Sequence, residues 1–296
     1  MSAQIIAGKE VSAQIREELK ARVAALKSKG ILPGLGVILV GEDPASVSYV
    51  TGKAKASEEI GIFEQTVKLP AAASEDEILK TVDGLNGDPR FNGLLVQLPL
   101  PRHVNPDKVI NLISPEKDVD GLHPVNVGKL LRGEPCPLPC TPYGVIQLLV
   151  RSGNSPDGKH VVICGRSNLV GKPLAALLIQ KKKGANATVT ICHTGTKNLP
   201  DYTLQADILV AAMGVPRVIT ADMVREGCVV IDVGVNRVPD ASAAKGFRLV
   251  GDTDFEAIKE KAAAITPVPG GVGPMTITML MMNAIEAAER KAGLIP

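Results

Sequence analysis

Tyr49 and Lys53 stand four positions apart in the stretch SYVTGKAKASEEIGI, residues 48–62, whose pattern predicts an amphipathic helix. On a helix, residues i and i+4 lie one above the other on the same face, so the tyrosine hydroxyl and the lysine ammonium can reach one shared point. Such a pair can move a proton. The structural alternative is a surface lysine whose aliphatic stem packs on the tyrosine ring.

A glycine-containing loop, VVICGRSNLVGKP, is the second chemical feature. It follows an apolar run that predicts a buried strand, and Pro173 falls in the first turn of the next predicted helix, where a missing N–H costs nothing. A strand, a glycine turn and a helix N-terminus together hold a pyrophosphate through backbone N–H groups and the positive end of the helix dipole. The alternative is an ordinary strand-to-helix turn.

The spacing in this loop excludes a phosphate-transferring P-loop. Five residues separate Gly165 from Gly171, and Pro173 rather than Ser or Thr follows Lys172, so no hydroxyl is available for magnesium. The dinucleotide fingerprint G-x-G-x-x-G is also incomplete, because Ser167 occupies the position of its second glycine.

The next predicted strand, in TVTICHTGTKN, indicates which dinucleotide would bind. It lacks the Asp or Glu that selects NAD by binding the ribose 2′-hydroxyl. Arg166 in the loop can instead pair with a 2′-phosphate, so the pattern predicts NADP as the cofactor. We interpret His193, at the end of this strand, as a hydrogen-bonding wall residue rather than a catalytic one.

Length and composition indicate a protein of two domains, or one large one, with a sizeable core. The chain has 296 residues, of which 45% are hydrophobic and 22% charged, values typical of globular proteins. Lys and Arg number 33 against 31 Asp and Glu, and Trp is absent, so the equipment of a nucleic-acid-binding protein is missing. We therefore expect no nucleic acid as a partner.

The chain carries no pattern of a secretory signal peptide and no apolar stretch long enough for a bilayer, so we expect a cytoplasmic protein without a membrane partner. Its five cysteines are an odd number, and Cys164 and Cys228 lie in strand-like apolar runs, which favours reduced thiols. Cys136 and Cys140 lack a second Cys or His pair at a zinc-site distance, so we expect no metal.

Short apolar β-rich runs alternate with helical patterns along most of the chain, which predicts an α/β fold with parallel strands. The rhythm restarts at Lys159. Between the two series lies GEPCPLPCTP, residues 133–142, whose four prolines disfavour regular structure, and we place the domain linkage there. The last predicted helix, PMTITMLMMNAIEAAERKAG, is too apolar to stand alone in water.

Six stretches in this order resemble the methylenetetrahydrofolate dehydrogenase/cyclohydrolase family over essentially the whole chain. They are SYVTGKAKASEEIGI (48–62), GLLVQLPLP (93–101), KDVDGLHPVNVGKL (117–130), GRSNLVGKP (165–173), DVGVN (232–236) and TPVPGGVGPMT (266–276). The resemblance implies an N-terminal α/β catalytic domain of residues 1–140 completed by the last helix, 274–296. It also implies a Rossmann-type NADP-binding domain of residues 141–273, a folate cleft between the two domains, and a homodimer.

The same resemblance assigns roles to individual side chains. Lys53 looks like the catalytic lysine, Gln97 like the glutamine that hydrogen-bonds it, and Tyr49 like the tyrosine that lines and places the folate. Asp120 looks like the carboxylate that grips the pterin amino group. The alternative for Asp120 is an aspartate that orders the tight DVDG turn.

Further positions are expected to contact the two ligands. Pro99, Pro269, Gly270 and Gly271 would line the folate site, the glycines because they leave the backbone open to close approach. The cofactor site is expected to include Gly165, Arg166, Ser167, Thr194 and Val235. Thr194 is a departure from the family, in which many members have serine; the hydroxyl is kept and a methyl is added.

The implied reaction is oxidation of 5,10-methylenetetrahydrofolate by NADP⁺, followed by hydrolysis of the methenyl product to 10-formyltetrahydrofolate. The alternatives are a folate dehydrogenase without the second activity, another two-domain NADP-dependent oxidoreductase, and a binding protein that has lost the chemistry. The second alternative would not require Tyr49, Gln97 and Asp120 together, and the intact Lys53 argues against the third.

Overall fold

The chain folds into two compact units in a computed structural model, which describes residues 2–243 and 246–295. One unit comprises Ala13–Cys140 and the chain from Ile277 onward; we call it the Lys53 unit. The other comprises the chain up to Ser12 and Thr141–Thr276; we call it the glycine-loop unit. Each is an α/β unit built on a parallel sheet.

The helices and strands alternate along the chain. The α-helices of the described chain are α1 (Gly8–Lys27), α2 (Pro44–Ile60), α3 (Glu75–Gly87), α4 (Pro106–Leu112), α5 (Pro124–Arg132), α6 (Cys140–Arg151), α7 (Gly171–Leu178), α8 (Pro200–Thr203), α9 (Phe255–Ile258) and α10 (Val272–Lys291). The strands are β1 (Gln4–Ile5), β2 (Gly34–Val40), β3 (Phe63–Leu69), β4 (Gly93–Val96), β5 (His160–Cys164), β6 (Thr188–Cys192), β7 (Ile208–Ala211), β8 (Val229–Asp232), β9 (Asn236–Pro239), β10 (Phe247–Val250) and β11 (Ala264–Ile265).

The Lys53 unit contains a sheet in the order β3-β2-β4, with every pairing parallel. All residues of β2 and β4 are buried, as expected for the strands of a sheet covered on both faces. The core around it includes Ile38, Ile78, Phe91 and Leu94. The carboxyl ends of these parallel strands lie at one edge of the sheet.

The glycine-loop unit contains a six-stranded sheet in the order β1-β11-β8-β7-β5-β6, also parallel throughout. Its core includes Val162, Leu209, Val230 and Ile265. A separate antiparallel pair, β9 and β10, follows β8.

Local sequence signals account for several helix starts. The Asp43 side chain accepts a hydrogen bond from the Ser46 N–H at 2.8 Å and caps α2, and Pro44 takes the first helical position. Ser74 and Asn105 cap α3 and α4 in the same way. The expectation of no regular structure in 133–142 is wrong at its end, because α6 begins at Cys140.

The N-terminal segment differs from the predicted division of the chain. Gln4 and Ile5 form β1, which pairs with β11, so the residues up to Ser12 belong to the glycine-loop unit and not to an uninterrupted segment 1–140. A two-residue strand carries no periodic signal, and only its pairing partner reveals it. The C-terminal segment of the Lys53 unit begins at Ile277 rather than at residue 274.

None of the described helices combines the length and the apolar character that crossing a bilayer requires.

Candidate active site

Lys53 and Gln97 meet through a hydrogen bond in the Lys53 unit. The Lys53 ammonium donates to Gln97 Oε1 at 2.9 Å. Gln97 Nε2 donates to the carbonyl oxygen of Leu98 at 2.6 Å, and this second bond keeps the amide oxygen turned towards the lysine. The amide is therefore held in one orientation by its own neighbour in the chain.

The parallel sheet explains why residues so distant in sequence meet. Lys53 lies on α2, which follows β2, and Gln97 directly follows β4, the neighbour of β2. The Gln97 N–H continues the ladder by donating to the Ile38 carbonyl at 2.9 Å. Gln97 therefore lies at the carboxyl edge of the sheet, where open α/β sheets bind their ligands, and Lys53 reaches it there from α2.

The Lys53 side chain is buried, since only 7% of the residue is exposed. Burial lowers the pKa of Lys53 below 10.5 because the charged amine loses its hydration, while the negative charges near it, chiefly Asp120, act in the opposite direction. A lysine in this environment gives up its proton more readily than a solvated one. This is the property that a proton shuttle needs near neutral pH.

Asp120 reaches the same edge through an irregular segment. The Leu94 N–H donates to the Lys117 carbonyl at 2.7 Å, so residues 117 and 118 run parallel beside β4 and Asp120 follows them. Burial raises the pKa of Asp120 above 3.8 and Asp118 adds to the effect, whereas the Lys53 charge opposes it. The two groups thus interact electrostatically.

The tight turn after this segment is ordered by Asp118 rather than by Asp120. The buried Asp118 carboxylate accepts hydrogen bonds from the Gly121 N–H at 3.1 Å, the His123 N–H at 2.8 Å and Asn126 Nδ2 at 2.9 Å. Gly121 has φ +70°, and a Cβ there would lie 2.6 Å from the Leu138 carbonyl carbon. The turn alternative for Asp120 therefore describes its neighbour, and the Asp120 side chain is available for another role.

Cys140 and Asn283 support this segment and were not singled out as site residues in the sequence. The Cys140 thiol lies 3.3 Å from the Val119 carbonyl and 3.8 Å from Asp120 Oδ1. Burial raises the pKa of Cys140 well above 9.0, so it remains a thiol that can donate. Asn283 Nδ2 donates to the carbonyls of Val119 and Leu138, each at 2.7 Å. An asparagine in the otherwise apolar run of α10 was the available signal.

Tyr49 and Pro99 lie at more open positions than Lys53. Tyr49 is 45% exposed, and within the described chain no hydrogen bond links its hydroxyl to Lys53. Its place one helical turn before Lys53 is the predicted one. Pro99 is exposed and follows Leu98.

The glycine-loop unit holds the predicted cofactor loop between β5 and α7. Gly165 has φ +135°, and a Cβ on it would lie 2.1 Å from the Ala212 carbonyl oxygen. A Cβ on Gly171 would lie 2.0 Å from the Gly165 carbonyl oxygen. The Ser167 hydroxyl accepts from the Val170 N–H at 3.0 Å and closes the loop.

The helix after this loop begins without a side-chain cap, although the Lys172 N–H in its first turn donates to the Ser167 carbonyl at 3.2 Å. Val170 occupies its N-cap position and makes no side-chain capping bond. The first N–H groups of a helix lack partners within the helix, so an uncapped start together with close glycine packing forms a cradle for a pyrophosphate. The observed residues therefore fit a dinucleotide.

Three other predicted cofactor residues are exposed near the carboxyl ends of strands of the same sheet: Arg166 after β5, Thr194 after β6 and Val235 after β8. The Gly165 N–H donates to the Cys192 carbonyl at 2.8 Å, which ties the first two strand ends together. His193 Nδ1 accepts from the Gly195 N–H at 3.0 Å, so its ring orders this turn.

The predicted stretch Pro269–Gly271 precedes α10 in the glycine-loop unit. Gly270 has φ +108°, which only glycine adopts readily. Its carbonyl accepts from the Lys9 N–H at 3.1 Å, and a Cβ on Gly8 would lie 1.8 Å from the Gly271 carbonyl oxygen. The N-terminal segment and this stretch pack backbone against backbone.

Asp232 and Asp252 form a buried network that sequence reasoning missed. The Asp232 carboxylate accepts from the N–H of Asp252 at 3.0 Å and from the hydroxyl of Thr253 at 2.6 Å. Asp252 Oδ2 accepts from the N–H groups of Met213 and Gly214 at 2.6 and 2.8 Å. The two carboxylates fix the loops that follow β7 and β8.

Comparison with known protein families gives two matches that together span most of the chain. Residues 6–120 match the model described as tetrahydrofolate dehydrogenase/cyclohydrolase, catalytic domain. Residues 139–292 match the model described as tetrahydrofolate dehydrogenase/cyclohydrolase, NAD(P)-binding domain.

Individual relatives are similar over their full length. The bifunctional protein FolD of Dehalococcoides mccartyi strain CBDB1 is 60% identical over 296 residues, which is 100% of both chains. The structure of the bifunctional enzyme FolD from Campylobacter jejuni has a TM-score of 0.92 and 47% identity, with 98% of this chain and 100% of that chain covered. The structure of a Trypanosoma brucei FolD, complexed with NADP cofactor and an inhibitor, has a TM-score of 0.93 and 39% identity, with 99% of each chain covered.

Proposed function

Because the chain belongs to the tetrahydrofolate dehydrogenase/cyclohydrolase family, we propose that it catalyses both reactions of that name. It oxidises 5,10-methylenetetrahydrofolate to the methenyl cation with NADP⁺ and then hydrolyses the cation to 10-formyltetrahydrofolate. The observation that carries the proposal is the buried Lys53 ammonium, whose pKa is lowered by burial and whose hydrogen bond to Gln97 fixes its direction.

In the hydrolytic step Lys53 moves the protons. Neutral Lys53 accepts a proton from the water whose oxygen bonds to the methenyl carbon, and the lysine becomes an ammonium. That ammonium then protonates the ring nitrogen as the carbon–nitrogen bond breaks, and the remaining hydroxyl releases its proton to solvent to form the formyl group. Gln97 keeps the amine directed at the reacting carbon during both transfers.

The other predicted side chains bind and orient the folate in this proposal. The Asp120 carboxylate accepts the two parallel N–H groups of the pterin, and its place on a segment ordered by Asp118 supports a fixed position. Tyr49, one turn before Lys53, lines the site and places the folate. Pro99, Pro269, Gly270 and Gly271 complete the proposed folate contacts.

When bound, NADP⁺ would supply the acceptor for the hydride of the methylene carbon. Gly165, Arg166, Ser167, Thr194 and Val235 would hold it, Gly165 by leaving room for a close approach of the backbone and Arg166 by pairing with the 2′-phosphate. The glycine packing that a Cβ would obstruct and the uncapped start of α7 support this assignment. The chain's own task in this step is to hold the donor carbon and the acceptor close together.

The experiment follows NADPH formation and methenyl-folate absorbance together with the purified protein. Both activities are expected, with the methenyl species consumed after it forms. Accumulation of the methenyl species at the rate of its uncatalysed hydrolysis would assign the chain to the dehydrogenases without cyclohydrolase activity. Absence of both signals would refute the folate function.

We further propose that the protein acts as a cytoplasmic homodimer without nucleic-acid or membrane partners. Buried thiols at Cys140, Cys164, Cys192 and Cys228 support a reducing compartment. The edge strand β6, on which Ile191 is 38% exposed, supports association of two copies. Light scattering on the purified protein tests the dimer, which a monomer mass at micromolar concentration would exclude.

A further inference from the structure

A separate cavity of about 370 Å³ lies in the Lys53 unit at the amino end of β4. Asn92, which directly precedes β4, lines it, whereas Gln97 follows the opposite end of the same strand. Pro115, Pro135 and Pro137 form an apolar wall. The volume falls in the lower part of the range of small-molecule sites.

Cationic side chains dominate the remainder of the lining. Lys117, Lys129, Arg290 and Lys291 line the cavity, and Glu116 is the acid in this lining. Such an excess of one charge in a concave, partly apolar site raises the local concentration of ions of the opposite sign. The lining therefore favours an anion.

Hydrogen bonds hold the position of Lys117 without neutralising its charge. Its ammonium donates to the carbonyl oxygens of Leu85, Asn86 and Asp88 at 3.3, 2.7 and 3.0 Å. Burial lowers the pKa of Lys117, and the nearby positive charge of Lys291 lowers it further. Two cations are therefore held close together at one side of the cavity.

Arg290 supplies a fixed hydrogen-bond donor group. Its Nη1 lies 3.6 Å from Glu286, but its Nη2 is buried and has no hydrogen-bond partner among the described residues. A buried donor without a partner is unfavourable, and Arg290 is one of the residues that line the cavity, so its guanidinium group is the one to which an acceptor in the cavity would bind. A carboxylate or phosphate oxygen is the acceptor that a guanidinium group binds best.

We propose that this cavity binds a small organic anion in which a carboxylate or phosphate is attached to a flat or apolar body. The charged group contacts Arg290 and Lys291, and the body packs on the proline wall. This cavity is distinct from the proposed folate and NADP sites, because none of the residues assigned to those two ligands lines it.

The test is calorimetric titration of the full-length protein, saturated with NADP⁺ so that its dinucleotide site is filled. The probes are benzoate and phenyl phosphate, with neutral benzamide and inorganic phosphate as comparisons. Benzoate or phenyl phosphate is expected to bind with a Kd at least about tenfold below that of benzamide, the scale of one charge-assisted hydrogen bond. The stronger of the two identifies carboxylate or phosphate as the preferred group.

Variants locate the binding. Lys291→Gln changes an exposed lysine of the cavity and is expected to lower the affinity for the anionic probe about tenfold. Lys80 is an exposed lysine elsewhere in the same unit, and Lys80→Gln is expected to leave this affinity unchanged. Ala287→Leu introduces bulk into the cavity from α10 and is expected to abolish binding without any change of charge.

Three results would overturn the proposal: no binding of either anionic probe, equal affinity for benzamide, or unchanged affinity in both Lys291→Gln and Ala287→Leu. Thermal melting of each variant establishes that it is folded. The outcome does not depend on folate turnover, so the proposed enzyme function and the anion site fail or succeed separately.

Discussion

The Lys53 site and the glycine loop place their functional groups in opposite physical settings. Lys53 is buried and its pKa is lowered, whereas Arg166 and Thr194 are exposed and the loop from Gly165 to Gly171 is defined by the close packing of its backbone. A group that transfers a proton near neutral pH needs a displaced pKa, and burial provides it. A loop that holds a diphosphate needs open N–H groups and space, and glycine provides both.

The difference predicts that the two regions respond differently to substitution. In the Lys53 site a change of side chain should remove chemistry while the fold persists. In the glycine loop the addition of a single carbon should disturb the backbone itself. Substitutions in each region, with matched controls, test this contrast.

Lys53→Met is expected to lower cyclohydrolase turnover by about 10²–10⁴-fold, the range for loss of a general acid or base. Methionine keeps the apolar volume and removes the titrating group. An absorbance assay measures the rate of methenyl-folate hydrolysis, and titration with NADP⁺ measures the affinity for the cofactor. NADP⁺ affinity should remain at the wild-type value, and hydrolysis at the wild-type rate would remove Lys53 from the mechanism.

Gly165→Ala is expected to lower the free energy of unfolding by about 3 kcal/mol and to abolish measurable NADP⁺ binding. The added Cβ would lie 2.1 Å from the Ala212 carbonyl oxygen at a φ of +135°. Urea unfolding and cofactor titration provide the two readouts.

Gly153→Ala is the matched control for that variant. Its φ is +82°, and among the described residues none beyond its two chain neighbours has an atom within 4 Å of the added Cβ. Only the backbone strain of about 1 kcal/mol should appear, and NADP⁺ binding should persist. Equal losses in the two variants would show that the close approach at Gly165 is unimportant.

Asp120→Asn is expected to weaken folate binding about 10–100-fold, because an amide would present a donor to the donors of the pterin. Its melting temperature should stay close to that of the wild type.

Asp118→Asn should show the reverse pattern, with a stability loss of about 2 kcal/mol, since Asp118 accepts three hydrogen bonds that order the turn. Folate dissociation constants and melting curves separate them, and unaltered folate binding in Asp120→Asn contradicts its assignment.

Arg166→Ala is expected to weaken NADP⁺ binding by about 2 kcal/mol, the scale of a charge-assisted contact, and to leave NAD⁺ binding little changed. Titration with both cofactors measures the difference. Equal losses for the two would place Arg166 away from the 2′-phosphate.

The smallest effect concerns stability and pH in Lys53→Met. The pKa of Lys53 in the folded chain is below the ordinary value of 10.5 because of burial, so between the two values the unfolded chain binds more protons and wild-type stability rises with pH. At a pH below both pKa values, the full cost of burying the charged ammonium lowers the free energy of unfolding of the wild type. The variant lacks it and should be more stable at pH 7 by about 1 kcal/mol.

This advantage should shrink as the pH rises towards 10.5, where the unfolded lysine also loses its proton. Urea unfolding of wild type and variant at pH 7 and pH 10 measures the change. Lys80→Met, an exposed lysine on α3, controls for the general effect of removing a lysine. A stability difference that is the same at both pH values would show that Lys53 carries no burial penalty.

The sequence alone determined the features that depend on near neighbours in the chain. The caps at Asp43, Ser74 and Asn105 depend only on the next few residues of the chain, and the alternation of apolar runs with helical patterns predicted parallel strands. The order of strand, glycine turn and helix around the cofactor loop could also be predicted, because these parts are consecutive in the chain. Family motifs added Lys53 and Gln97 as a pair, and a hydrogen bond joins the two side chains in the structure.

Only the tertiary structure decided which of two nearly adjacent aspartates orders the turn, since local pattern treats Asp118 and Asp120 alike. It also decided that α10 delivers Asn283 to the Val119 and Leu138 carbonyls, and that Gln4 and Ile5 extend the sheet of the glycine-loop unit. These contacts join residues that are more than a hundred positions apart. Packing, and the requirement that buried polar groups be hydrogen-bonded, decide which residues meet in these contacts. Neither produces a periodic pattern in the sequence.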